Sequence, residues 1–87
     1  MTAASRTIKL SEPVTHEGRE ITEVILRRPK VGDLRRMDKV DGSDMEKTLW
    51  LLGVLGEMTP AEVDKIDAAD LEALANAIAG FTGKATA

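Results

Sequence analysis

The chain changes its hydrophobic period once, and that change divides it into a β part and an α part. Thr7-Ile8-Lys9-Leu10 alternates polar and apolar residues, the pattern of a short, half-buried strand. Residues 20–28 read as the returning strand, with the apolar, largely β-branched run Val24-Ile25-Leu26 inside it. His16-Glu17-Gly18-Arg19 supplies the turn between them, with a glycine for a positive φ. Residues 7–28 therefore predict one β-hairpin, and Pro13 limits how its first strand can pair centrally. Pro29 ends the second strand, because it offers no N–H to a ladder and biases Arg28 toward an extended conformation. Beyond Gly32 the spacing changes: Leu34, Met37 and Val40 recur every third residue, which is a helix face.

Start and stop signals divide the remainder into helices near 31–40, 44–57, 60–66 and 68–80. Asp33 sits in the first turn of the first, where the helix dipole favours an anion, and Asp41-Gly42 breaks it. Ser43 with Glu46 reads as a capping box. Thr59-Pro60-Ala61-Glu62 repeats that logic with proline at the first helical position, and Val63 and Ile66 share one side of the short helix it opens. Asp67 and Asp70 start the fourth, in which Leu71, Leu74, Ile78 and Phe81 form one stripe and Gly80 is the expected stop. An isolated hairpin is marginal in water, so the expected architecture is α+β: an N-terminal β-hairpin packed on a small bundle of about four short helices. The expected core is Ile8, Val24, Leu26, Leu34, Leu52, Leu55, Ile66, Leu71, Leu74 and Ile78. The whole chain, residues 1–87, reads as a single domain with an ordered core over 7–81 and flexible tails at 1–5 and 82–87.

The second helix is the informative one. Leu49, Trp50, Leu51, Leu52, Val54 and Leu55 point around almost its whole circumference. A helix apolar all round needs burial on every side, and a hairpin with three short helices can hardly surround it. Trp50, Leu51 and Val54 are therefore the expected partner-binding residues. The alternative is that this is simply the central core helix.

Charge and composition narrow the function. The chain has 87 residues, no cysteine and a net charge of −3, which excludes a disulfide framework and argues against a nucleic-acid binder. Trp50 and Phe81 are its only aromatic residues, too few for a base-stacking platform. The longest apolar run is far short of a membrane span, and the N-terminus lacks the apolar segment of a signal peptide. A cytoplasmic, soluble protein is the expectation. His16, the one histidine, is expected in an exposed turn, and no serine lies in a nucleophile motif. Glu46, Glu62, Asp33, Asp67 and Asp70 fall in first turns of helices, where capping alone accounts for them. Asp64, Asp67 and Asp70 lack the glycine and closing glutamate of a calcium loop. No residue is nominated as catalytic, cofactor-binding or metal-ligating.

Arg27, Arg28, Lys30, Arg35, Arg36 and Lys39 form a local basic cluster interleaved with Asp33, Asp38 and Asp41. It reads as a solvated rim that orients an acidic partner, with Arg27, Arg28 and Arg35 as contacts. The alternative function is a small nucleic-acid-binding regulatory domain that uses residues 27–39 on phosphates.

The order of parts resembles the small tail assembly chaperones of Mu-like and related contractile-tailed phages. The resemblance runs through Leu10-Ser11-Glu12-Pro13, the turn Glu17-Gly18, the strand end Leu26-Arg27-Arg28-Pro29-Lys30-Val31-Gly32-Asp33, the apolar helix, and Ile66-Asp67-Ala68-Ala69-Asp70 leading to Phe81. It covers residues 7–81. Lys30 departs from the family's usual threonine; lysine cannot accept the capping bond, so this helix start should be weaker by about 1 kcal/mol. The resemblance implies a non-catalytic protein without cofactor that binds the long, largely helical tape-measure protein in the host cytoplasm and is absent from the mature virion. It also implies that a frameshifted longer form recruits the tail tube subunit. Gly83-Lys84 is a candidate slip site, with an ordinary tail as the reading it is set against, and codons other than GGG-AAA or GGA-AAA there would exclude it. A homo-oligomer is a further candidate assembly.

Overall fold

The fold is that of a computed structural model, which describes residues 5–82. Apart from Ser5 and Thr82, the two expected tails lie outside the described residues, as does Gly83-Lys84. The hairpin is β1 (Arg6–His16) and β2 (Arg19–Leu26), followed by α1 (Val31–Asp38), α2 (Asp44–Gly56), α3 (Pro60–Asp64) and α4 (Ala68–Thr82). The α+β architecture is as expected. The helix ends move by one or two residues: α1 stops at Asp38, α2 at Gly56 and α3 at Asp64, while α4 runs through Gly80 to Thr82. Gly80 has no positive φ there, and a lone glycine inside a helix weakens it without ending it.

The hairpin turn is Glu17-Gly18, with φ of 49° and 81°. Two consecutive positive φ values give the turn a twist that matches the flanking strands. The strands pair antiparallel from Arg6↔Leu26 to Lys9↔Glu23, and again from Val14↔Ile21 to His16↔Arg19. Between these ladders residues 10–13 face Thr22 alone, so β1 bulges where Pro13 has no N–H to give.

One face of the hairpin is the core face. Val14, Ile21, Val24 and Leu26 are buried there with Leu52, Leu55, Leu74 and Ile78 of the helices. β2 lies on α2, while β1 meets α3 and α4. Ile8, Leu34, Ile66 and Leu71, expected in the core, are half-buried and pack against its edge. In a chain this small a fully wrapped interior has room for few side chains.

Two glycines set how closely α2 is approached. A Cβ on Gly56 would stand 2.8 Å from Cγ1 of Val24, so only glycine lets β2 settle on this helix. Arg27 N–H then donates to the Leu55 carbonyl at 3.2 Å, tying the end of the hairpin to the end of α2. A Cβ on Gly53 would stand 3.0 Å from the Met58 carbonyl oxygen and 3.4 Å from Cγ2 of Val63. The absence of that atom lets the segment leading into α3 fold back against α2, where Met58 N–H donates to the Gly53 carbonyl at 2.8 Å.

These approaches yield a paired prediction. Gly56→Ala gains helix propensity but overpacks against Val24, a short buried side chain with no room to turn away, and should destabilise the fold by about 1–2 kcal/mol. Gly32→Ala places its methyl in ordinary contact, 3.6 Å from the Arg36 guanidinium, and should stabilise by about 0.5–1 kcal/mol. Urea denaturation of the two variants should shift the midpoint in opposite directions. Equal shifts would contradict the packing described.

Candidate functional site

Three carboxylates in helix first turns are buried, and each reaches beyond its own helix. Asp33 accepts from both Nη atoms of Arg27 at 2.9 and 3.1 Å, from Lys30 N–H at 2.8 Å and from Arg36 Nη2 at 2.8 Å. Lys30 cannot accept the return bond, so the cap is half a capping box, and the Asp33 N–H donates to the Lys30 carbonyl. The Arg27 fork, and next the Lys30 N–H, hold the Asp33 carboxyl well below the usual carboxylate range. Glu62 accepts from Thr59 N–H at 3.0 Å and pairs with Arg19 of β2 at 3.4 Å. The Thr59 N–H is the main cause of its lowered pKa, with Arg19 adding to it. Asp70 accepts from Ser11 N–H at 3.0 Å and Ser11 Oγ at 2.7 Å, which fastens the bulge of β1 to α4. Capping alone does not account for these three residues. Their partners lie up to 59 positions away, beyond any local pattern.

His16 is likewise not in an exposed turn. It closes β1, its side chain is half-buried, and Nε2 lies 3.7 Å from the Glu17 carboxylate. Among the described residues no cluster of three or more histidine, cysteine, aspartate or glutamate residues is placed to hold a metal ion. No helix of the described residues is long and apolar enough to cross a membrane.

What the fold leaves open lies beside α2. A groove of about 320 Å³ runs between α2 and α3, lined by Leu49, Trp50, Val54, Met58 and Val63, with Val40 and Pro60 at its ends and Glu46 and Asp64 on its rim. Trp50 and Val54 are half-buried in its wall. A second, shallower opening lies between α2 and α4, where Met45 is 53% exposed beside Leu71 and Ala75.

The sequence matches the phage tail assembly chaperone proteins, E, or 41 or 14, over residues 7–83. The chain belongs to that family. No curated protein and no solved structure matches it.

The chaperone's expected contact residues are only partly gathered by the fold. Trp50 and Val54 share the α2–α3 groove. Leu51 corrects the expectation: it is 2% exposed and belongs to the core with Ile78, and Leu34 and Met37 pack at its edge, where a third opening of about 390 Å³ lies between α1, α2 and α4. The basic residues stand apart from the groove. Arg27 is held by Asp33, Arg28 lies 5.9 Å from the Phe81 ring centre, and Arg35 is exposed on α1. Arg6 joins Arg28 at that ring, 5.5 Å from its centre. Sequence reasoning missed Leu49, Met58 and Val63 as groove residues. The Gly53 spacing that brings α3 onto α2 was the one signal pointing to them.

The Asp33 clamp gives a pH-dependent prediction. Its pKa is depressed in the fold, so its stabilisation is present above the unfolded carboxylate value near 4 and is lost as pH falls through the folded value. Asp33→Asn should cost about 2 kcal/mol at neutral pH. The gap between variant and wild type should narrow steadily as pH is lowered from about 5 toward 2. A gap independent of pH over that range would mean that the charge of Asp33 contributes nothing.

Proposed function

We propose that this chain is a non-catalytic tail assembly chaperone that binds the tape-measure protein and keeps it from aggregating. The observation that carries the reading is the α2–α3 groove, an open apolar wall built around Trp50 and Val54 in a member of this family. A long helical protein such as the tape measure exposes apolar stripes before the tail tube covers it. An amphipathic helix lays such a stripe into a groove of this kind. Acidic net charge keeps the loaded chaperone dispersed. The reading places the work in the host cytoplasm, before the virion is complete, with the tail tube subunit as the partner of a longer product. Residues 7–81 act in it as one folding unit.

The test separates contact from core. Trp50→Ser with Val54→Ser strips the groove wall from two half-buried positions and should leave the fold cooperative, at a cost of about 1–3 kcal/mol. Coexpressed with the tape-measure protein, this double variant should lose co-solubility, while the wild type keeps the partner in the supernatant. Leu51→Ser should instead act through the core and unfold the chain. Retained co-solubility by a folded Trp50/Val54 double variant would defeat the reading.

A further inference from the structure

We infer that the α2–α3 groove selects a helix whose apolar stripe is flanked by basic side chains, with Glu46 and Asp64 as the selecting residues. This rests on the groove being the partner site proposed above. It reverses the sign expected from the basic cluster. The chain carries 12 lysine and arginine residues, yet the only charged residues lining this groove are Glu46 and Asp64. They stand on opposite walls, one in the first turn of α2 and one at the last residue of α3. Neither carboxylate has a cationic partner among the described residues, whereas buried Asp33 and Glu62 both do. The helix dipole does not explain Asp64, since an anion at a helix C-terminus opposes it.

Six of the cations are occupied elsewhere. Arg27 and Arg36 grip Asp33, Arg19 grips Glu62, and Arg6 and Arg28 lie over Phe81. Lys47, the residue after Glu46, donates its ammonium to the carbonyls of Asp38 and Val40. The second opening repeats the sign, with Asp44 and Glu72 as its only charged lining residues. These two openings therefore carry only negative charge among their lining residues, while a third, between α1, α2 and α4, carries none. An apolar wall recruits any amphipathic helix; a rim of one sign decides which flanking charges that helix carries.

Trp50 is the only tryptophan and lines the groove, so it reports occupancy directly. Two tryptophan-free synthetic helical peptides of about 18 residues would carry the same leucine and alanine stripe, one flanked by lysines and the other by glutamates. Titrated into the full chain at low salt, the lysine peptide should shift Trp50 emission to the blue and bind on the order of tenfold more tightly than the glutamate peptide. Raising salt from about 0.02 to 0.5 M should close that gap, and so should Glu46→Gln with Asp64→Asn. Should that pair fail to fold by circular dichroism, Asp64→Asn alone and the salt series carry the test. Equal binding of the two peptides, tighter binding of the glutamate peptide, an unchanged Trp50 emission with both, or a gap that survives neutralisation would each overturn the inference. Its failure is distinguishable from failure of the parent reading. Tape-measure protein held by wild type and by Glu46→Gln/Asp64→Asn, yet released by Trp50→Ser/Val54→Ser, refutes the charge rule alone. Tape-measure protein never held by wild type refutes the parent reading.

Discussion

A two-stranded hairpin cannot bury either of its faces by itself, and the helices are arranged around the need to cover the apolar one. Val14, Ile21, Val24 and Leu26 have no third strand to lean on. They are shielded because α2 comes close enough, at Gly56, for Val24 to sit against its backbone. Having given one side to the hairpin and another to α1 and α4, α2 has little helix left to cover its remaining side. α3, only five residues long, supplies part of a wall and leaves a groove. The surface assigned to a partner is thus what remains after a small chain has covered its sheet.

The same economy of length is visible in the polar contacts. A thin apolar core gives limited stabilisation, and here it is supplemented by carboxylates that serve a helix start and a long-range tie together. Asp33 caps α1 and locks the strand-to-helix joint through Arg27. Glu62 completes the Thr59 capping box and reaches back to β2 through Arg19. Asp70, in the first turn of α4, holds the β1 bulge at Ser11. The depressed pKa values of Asp33 and Glu62 make these ties dependent on their ionised forms.

The elements were legible because their signals are local. The alternation at Thr7 to Leu10, the turn glycine, Pro29 and the Thr59-Pro60 cap each act within a few residues, and the hairpin and all four helices stand where they pointed. The site was legible by half. Periodicity cannot rank the faces of a helix that is apolar all round, so Leu51 looked like Trp50, although the fold buries it in the core. The second roles of Asp33, Glu62 and Asp70 depend on where chain folding brings Arg27, Arg19 and Ser11. The basic run at residues 27–39 looked like one surface. Its side chains instead divide between the Asp33 clamp, the Phe81 ring and the exposed face of α1.

Membership of the tail assembly chaperone family and an apolar groove with acidic lining residues support the proposed recognition of a helix. That claim is tested most directly by amide chemical-shift mapping of the isotope-labelled chain as a soluble tape-measure segment is added. The account predicts that the perturbed amides cluster on α2 and α3, around Leu49, Trp50, Val54 and Val63. The outer face of the hairpin, at Thr7, Lys9, Glu23 and Ile25, should stay unchanged. Perturbation concentrated on that sheet face, with the α2–α3 amides unmoved, would contradict it.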